Sequence, residues 1–474
     1  MTNEKGKLCD IGVIGLGVMG RNLLLNMADH GFSVVGFDKA PDKVESLRQD
    51  SKKPTVHAAA TLETFLKQIN RPRSILLLVP AGAVVDSVID ELLPYLQHDD
   101  LVIDAGNSHF IDTNIREQRL KEKGILFLGT GISGGEKGAR LGPSIMPGGS
   151  RKAYERVRPI FEAIAAQVDG EPCVAYMGSG SAGHYVKMVH NGIEYGLMQL
   201  IAETYDLLKR GLGLDNNQLC ETYSSWNNSE LSSYLLEITS QIFSRVDEDT
   251  GDTLIDKIRS VAAQTGTGKW TSQSAMELQV PVPTIDIAVA MRDLSVLAQQ
   301  REQLSAVYPG PIIQMKVNRA LFSKQLQGAL YLGMIGVYAQ GMALLAVASE
   351  KYSYDLELGS IARIWRGGCI IRARLLEGIC NAFRLQPKLP NLLMDVRLSQ
   401  KIIHHQEDLR QMLSQAVRTG ISTPGLMMSL SYLDAFRSVW QPANLIQAQR
   451  DYFGSHRYER VDIKGSFHTE WEKE

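Results

Sequence analysis

Four polar side chains are placed where they could act together. Lys187, His190, Asn191 and Glu194 fall at i, i+3, i+4 and i+7 of one apolar stretch, so a helix there carries them as a column on one face. Val186, Met188, Val189, Ile193, Leu197, Met198, Leu200 and Ile201 surround them and require that helix to be buried on most sides. Burial lowers the pKa of a lysine and raises that of a carboxylate, which suits the first to accepting a proton and the second to giving one. Buried charge is costly unless it is paired or used. The alternative is a set of satisfied core polars. The spacing predicts one long helix from Gly180 to Arg210.

The chain that must position this column has 474 residues, enough for two or three domains. Its 44% hydrophobic and 22% charged content is that of a soluble globular protein. A formal net charge of -2 argues against a general nucleic-acid-binding surface and leaves room for a local anion site. No apolar run precedes Ile11, so a secretory signal is not expected, and no stretch reaches the ~18 apolar residues of a membrane span. Cys9, Cys173, Cys220, Cys369 and Cys380 are odd in number and scattered, without CxxC; they read as buried thiols in a reducing compartment. The expected location is the cytoplasm.

Upstream of the column, Asp10–Ile14 reads as a strand, Arg21–His30 as a helix, and Gly15, Gly17 and Gly20 between them form GxGxxG. In that context the first glycine allows the tight turn, the second lets a pyrophosphate approach the backbone, and the third lets helix and strand pack closely. The amides of the helix start then hold the anion. A second strand, Phe32–Phe37, ends at Asp38, where an acid binds the ribose hydroxyls of NAD and repels a 2′-phosphate. Lys39 and Lys43 offset some of that repulsion, and capping of the next helix is the alternative role for Asp38. Further strands end at Pro80-Ala-Gly82, at Gly106-Asn107-Ser108 and at Ser133-Gly134-Gly135-Glu136. Strands alternating with helical segments imply a mostly parallel sheet that binds ligands at its strand ends, with a boundary to the next part near residue 180.

Beyond Arg210 the apolar spacing is helical, over Ser229–Val246, Leu254–Ala263, Pro283–Tyr308, Ile312–Glu350, Leu356–Phe383, Asn391–Thr419 and Pro424–Ser438. Gly341 and the pair Gly367-Gly368 are expected to allow close helix crossings. Gly266-Thr267-Gly268-Lys269 lacks the spacing of a Walker A loop, which excludes an ATPase site. Arg292 interrupts an apolar run, as a buried salt bridge or an anion ligand. The tail is rich in aromatics, Tyr452, Phe453, Tyr458, Phe467 and Trp471, and is expected to pack on a partner subunit.

The segments GLGVMGRNL (15–23), GNS (106–108), SGGE (133–136), GPSIMPGG (142–149), GHYVKMVHNGIEYG (183–196), GTGKWTSQSA (266–275), GGCIIR (367–372) and LIQAQRDYFGSH (445–456) resemble the long-form, decarboxylating 6-phosphogluconate dehydrogenase family over nearly the whole chain. The resemblance implies an α/β Rossmann-like dinucleotide-binding domain over 1–180, a large all-α substrate and dimerisation domain over 181–440, and a tail over 441–474 that packs on the second subunit of a homodimer. It implies oxidation and decarboxylation of 6-phosphogluconate to ribulose 5-phosphate and CO2, with NADP as acceptor and no metal. Carried over residue by residue, Lys187 is the catalytic base and Glu194 the acid. Asn107, Ser133, Gly134, Gly135, His190, Asn191 and Tyr195 contact the substrate, Arg292 binds its phosphate, and Arg450 and His456 come from the partner's tail. The cofactor set is Gly15, Gly17, Val18, Met19, Gly20, Asp38, Lys39, Ala40, Val79 and Asn107.

Four departures qualify the resemblance. Asp38-Lys39-Ala40 stands where NADP-linked members have Asn-Arg-Ser/Thr, and Pro80 stands in place of a common lysine; together they leave NAD open beside NADP. Thr265 replaces a lysine that contacts the sugar phosphate, and Lys137 replaces a second glutamate after SGGE. A dehydrogenase of another 3-hydroxy acid is therefore the alternative enzyme. A non-catalytic dinucleotide-binding protein is the alternative of another class, against which Lys187, Asn191 and Glu194 stand intact.

Overall fold

The structure is a computed structural model, described over residues 8–50, 53–264, 266–308, 310 and 314–472. Two compact units divide at residue 429, the second beginning at Leu430. In the first unit, seven strands form one sheet: β1 (Ile11–Ile14), β2 (Val34–Phe37), β3 (Val56–Ala58), β4 (Ser74–Leu77), β5 (Leu101–Asp104), β6 (Leu126–Ser133) and β7 (Ser144–Gly149). Their spatial order is β3-β2-β1-β4-β5-β6-β7. All pairs are parallel except β6 with β7, which run antiparallel with Leu128 opposite Gly149 and Ser133 opposite Ser144. Strands β1, β2, β4 and β5 are buried throughout, as expected when helices cover both faces. The order reverses between β1 and β4, which opens a crevice at their carboxyl ends.

The predicted central helix runs from Ala182 to Asp206 and closes with a π-helical turn over Leu207–Gly211. Residues 181–193 are buried without a break. Its first turns lie directly on β6 and β7, because glycines pave the contact. A Cβ on Gly183 would stand 2.6 Å from Gly148 N and closer still to the carbonyls of Gly129 and Met146; one on Gly131 would press into Lys187. Further along, Gly341 of the helix Arg319–Tyr352 admits Ile193, whose Cγ1 and Cδ1 would lie 2.5 Å from a Cβ there. This 34-residue helix is long and apolar enough to cross a membrane, but 83% of its most apolar window is buried within the protein.

Several expected helices are shorter or broken. Pro283–Tyr308 divides into Pro283–Val296 and Ala298–Val307. Only a 3₁₀ turn, Leu254–Lys257, forms in the segment 254–263, and the helix expected from Ser229 starts at Tyr234, capped by Ser233. Asn391–Thr419 becomes a 3₁₀ turn followed by Val396–Thr419, because the Asp395 carboxylate caps the longer helix. The segment Leu356–Phe383 splits into Leu358–Ile364 and Leu375–Leu385 around Gly367-Gly368. Gly368 takes φ +66° and its carbonyl accepts from Ser144 N at 2.8 Å, so this pair makes a loop against β7 instead of a helix crossing. All five cysteines are free; Cys9, Cys173 and Cys369 are buried, while Cys220 and Cys380 are partly exposed.

The second unit contains the helix Ala443–Gly454 and a short hairpin pairing Tyr458–Glu459 with Ser466–Phe467. Asp451 organises it, accepting from Arg457 N at 2.8 Å, Thr469 N at 3.0 Å and Trp471 Nε1 at 2.9 Å.

Candidate active site

The glycine loop after β1 has the shape a dinucleotide requires. Gly15 takes φ +97°, and a Cβ on Gly20 would collide with Gly15 O, so helix and loop touch through backbone alone. A Cβ on Gly17 would meet nothing within 4 Å, which marks the open side of the turn. The helix Val18–Asp29 begins there with no side chain capping its amides, and Val18 is exposed. A cavity of about 350 Å³ lies over this loop, lined also by Asp38, Lys39, Val79 and Pro80. The Asp38 carboxylate accepts from Leu16 N at 2.7 Å and from Ala40 N at 2.9 Å, so it holds the loop as well as facing the cavity. A nicotinamide dinucleotide fits these residues.

Asn107 is exposed after β5, and the Gly106 and Ser108 that flank it in the motif are held by Asp104, whose role no motif indicated. Ser108 Oγ donates to Asp104 Oδ2 at 2.6 Å, and Gly106 N donates to Asp104 Oδ1 at 3.1 Å. Arg116, fully buried, donates to Asp104 at 3.2 Å, to Asp86 at 2.7 Å and to Gly82 O at 3.0 Å. One guanidinium thereby ties together the loops after β4 and β5. No sequence motif singled out Arg116, which the structure places in the helix Phe110–Lys121.

The polar column forms as spaced. Lys187 Nζ donates to Asn191 Oδ1 at 2.6 Å, His190 Nδ1 lies 3.2 Å from the same oxygen, and His190 Nε2 lies 3.2 Å from Ser133 Oγ. Lys187 donates to the Asn191 oxygen, and the same oxygen lies beside His190 Nδ1, so His190 carries its proton on Nδ1 and accepts from Ser133 through Nε2. Burial, with the Lys187 charge beside it, holds His190 well below the ordinary histidine pKa, so the ring is neutral. Burial likewise lowers Lys187, with Glu194 and Cys369 opposing. Burial raises Glu194, with Lys187 and Arg292 opposing. The two pKa values are thus pushed toward each other, the pattern of a proton acceptor and a proton donor in one site.

Other predicted residues gather around this column. Gly134 (φ +123°) and Gly135 (φ +61°) turn the chain after Ser133, and Gly135 faces open space. The loop from the broken helix closes beside them, since a Cβ on Gly134 would stand 2.5 Å from Gly368 O. Trp365, fully buried, meets the His190 ring edge-on at 5.6 Å. Neither Trp365 nor the Gly368 loop was assigned to the site from the sequence. The guanidinium of Arg292 stacks 3.5 Å over the Tyr195 ring and donates weakly to Ala263 O at 3.4 Å. Among the described residues Arg292 forms no ion pair, which removes the salt-bridge alternative. Lys137 is exposed. Thr265 lies outside the described residues. Arg450 and His456 belong to the second unit, within its helix and just after it.

A dinucleotide crevice in the same unit as a buried lysine and a half-buried carboxylate on one helix face defines a nicotinamide-dependent dehydrogenase. Comparison with known proteins makes the class specific. Residues 10–178 match the NAD binding domain of 6-phosphogluconate dehydrogenase, and residues 183–471 match the C-terminal domain of 6-phosphogluconate dehydrogenase. The NADP(+)-dependent, decarboxylating 6-phosphogluconate dehydrogenase of Bacillus subtilis is 50% identical over 98% of this chain and 99% of its own length. The decarboxylating enzyme of Escherichia coli is 50% identical over 97% and 98%. The structure of Plasmodium falciparum 6-phosphogluconate dehydrogenase, studied in its apo form, with NADP+ and with 6-phosphogluconate, superposes with a TM-score of 0.94 at 42% identity, covering 98% of this chain and all of that one. The chain belongs to the 6-phosphogluconate dehydrogenase family.

Proposed function

We propose that this protein catalyses the oxidative decarboxylation of 6-phospho-D-gluconate to D-ribulose 5-phosphate and CO2, with reduction of a nicotinamide dinucleotide, in the oxidative pentose phosphate route. The observation that carries the reading is the Lys187–Asn191–His190–Glu194 column, intact in a chain half identical over its full length to decarboxylating 6-phosphogluconate dehydrogenases. When bound, the nicotinamide supplies the hydride acceptor. Neutral Lys187 takes the proton of the substrate's 3-hydroxyl, which its lowered pKa favours. The 3-keto acid so formed breaks its C1–C2 bond. The bonding electrons pass into the C2–C3 enolate, CO2 leaves, and protonated Lys187, aimed by Asn191, returns its proton to the C3 oxygen. Glu194, whose pKa burial raises, gives a proton to the carbon that lost CO2 while Lys187 takes back the proton of the C3 hydroxyl, so the C3 carbonyl re-forms and ribulose 5-phosphate is complete. Neutral His190 and Ser133 serve as hydrogen-bonding ligands, and the guanidinium of Arg292, which has no ion pair among the described residues, suits the substrate phosphate.

The proposed division is a cofactor domain over 1–180, a helical substrate domain over 181–440 and a tail over 441–474, supported by the two family matches on either side of residue 180. The working form is a cytoplasmic homodimer in which Arg450 and His456 of each tail complete the site of the other copy. Apolar residues left exposed in the tail, among them Leu445, Ile446 and Phe453, support a partner there. Initial-rate kinetics with 6-phosphogluconate test the assignment. Turnover to ribulose 5-phosphate is expected, and Lys187→Ala should abolish cofactor reduction. Folded protein that reduces no cofactor with 6-phosphogluconate but turns over another 3-hydroxy acid would overturn it.

A further inference from the structure

A set of charged side chains at the dinucleotide crevice has no part in the proton transfers. The helix Ala83–Leu92 contributes Val84, Ser87, Val88 and Glu91 to the cavity wall, spaced i, i+3, i+4 and i+7 along one face. Val84 and Val88, with Leu62, give apolar surface suited to a planar base. Glu91 adds a second carboxylate to the cavity that Asp38 already lines. Asp38 cannot swing aside, because Leu16 N and Ala40 N hold its two oxygens and its side chain is only 12% exposed. Lys43 stands 3.5 Å from that same carboxylate. Lys39 Nζ is taken by Glu91 Oε1 at 2.5 Å, and Ser87 Oγ steadies that oxygen at 3.3 Å. Both lysines lining the cavity are therefore engaged by carboxylates before any ligand arrives. Pro80, at the end of β4, adds no charge.

A fixed carboxylate at the end of the second strand accepts hydrogen bonds from a ribose diol and repels a phosphate dianion in the same place. We propose that Asp38 and Glu91 make this cavity select a dinucleotide with a free 2′-hydroxyl, NAD over NADP, with Glu91 acting as a positioning residue that holds Lys39 away from a 2′-phosphate. The inference rests on the dinucleotide-binding reading above and sets this chain apart from its NADP-named relatives. The Lys39–Glu91 pair is exposed at both ends, so it is weak and a phosphate can compete for Lys39. Asp38 therefore decides the preference and Glu91 adjusts it.

Direct binding of NADH and NADPH to the full-length protein, read by nucleotide fluorescence without substrate, tests this. NADH should bind more tightly by about tenfold or more, as expected for one repulsive contact replacing a hydrogen-bonded one. Glu91→Gln should tighten NADPH by about threefold, leave NADH nearly unchanged, and lose that gain at high salt. Asp38→Asn should narrow the NADPH/NADH ratio of dissociation constants by about tenfold, with thermal unfolding checked because one of the side-chain oxygens that accept from Leu16 N and Ala40 N is lost. Should Asp38→Asn fail to fold, the unaltered protein and Glu91→Gln still decide the question. NADPH binding as tightly as NADH to the unaltered protein overturns the proposal, and an unmoved ratio in Glu91→Gln overturns the role of Glu91. Binding of neither nucleotide overturns the dinucleotide reading itself, so the two failures are distinct.

Discussion

Replacing Glu194 by Gln asks whether Lys187 and Glu194 form one electrostatic unit. Contacts of 2.6 Å from Lys187 Nζ to Asn191 Oδ1, 3.2 Å from there to His190 Nδ1 and 3.9 Å on to Glu194 Oε2 bound the lysine–carboxylate separation at about 10 Å. At an effective dielectric of ~20, unit charges ~10 Å apart interact by ~1.7 kcal/mol, or about 1.2 pH units. Glu194 raises the Lys187 pKa, so removing its charge lets that pKa fall further below the ordinary lysine value. Neutral Lys187 is the form that accepts the proton, so activity is lost as pH falls through its pKa. The acidic limb of kcat/KM for cofactor reduction should therefore move down by about one pH unit or more in Glu194→Gln. Release of ribulose 5-phosphate should suffer most, because the proton donor of the last step is gone. The assay is a pair of pH profiles with limiting 6-phosphogluconate, one for each protein. A limb that stays in place, or moves up, would mean that Glu194 is not charged beside Lys187 in the free enzyme and would refute the reasoning.

Other expectations follow from packing and burial. Gly131→Ala should press on the Lys187 Cβ and on its Cγ, which would lie 3.0 Å from the new Cβ, pushing the lysine and its helix off β6, lowering kcat by on the order of tenfold to a hundredfold and costing about 1–3 kcal/mol of stability as well. Gly183→Ala meets backbone on three sides and should cost stability, about 1–3 kcal/mol or more by chemical denaturation. Glu203, pushed up to about 7 by burial against the hydrogen bonds of Gln199, Leu426 N and Gly425 N, has a folded pKa above its unfolded one. Its contribution to stability is full below the unfolded value and fades as pH rises through about 7. Melting midpoints measured on both sides of that pH should show the fall, and Glu203→Ala should lose it together with ~1–3 kcal/mol for each amide left unpaired. Deleting residues 441–474 should raise KM for 6-phosphogluconate and shift the protein toward monomer in sedimentation; unchanged kinetics would refute the shared site.

Much of this was legible in the sequence because it is local. GxGxxG between a strand and a helix, and polar residues at helical spacing, specify their own geometry, and Gly15 and the Lys187 column stand as spacing predicts. Distant pairing was not legible. Arg116 looks like any helix residue until the fold brings Asp86 and Asp104 to it, and Glu91 looks like a solvent-facing acid until Lys39 meets it. The segment 356–383 reads as one helix because its apolar spacing continues through Gly367-Gly368. The backbone breaks there because Gly368 adopts φ +66° and its carbonyl is claimed by Ser144 of another element. Periodicity registers which face is apolar, and a break imposed by tertiary hydrogen bonding leaves little trace in it.

That broken helix bears on the chemistry of Lys187. The loop it releases brings Cys369 into the lysine's surroundings, where an ionised thiol would raise the Lys187 pKa just as Glu194 does. Burial pushes the Cys369 thiol itself up to about 12, and Sγ donates to Trp365 O at 3.1 Å, so the group is neutral at any pH the enzyme works in. Cys369 then acts on Lys187 only as apolar surface that keeps water out, which lowers the lysine's pKa. Of the two groups that could oppose desolvation, one is silent, and Glu194 is left as the anion that sets how far the pKa of Lys187 falls. The proton acceptor of the first step is thus tuned by the proton donor of the last. Cys369→Ser should therefore shift the acidic limb far less than Glu194→Gln does, and a shift of equal size would show an ionised thiolate in the site.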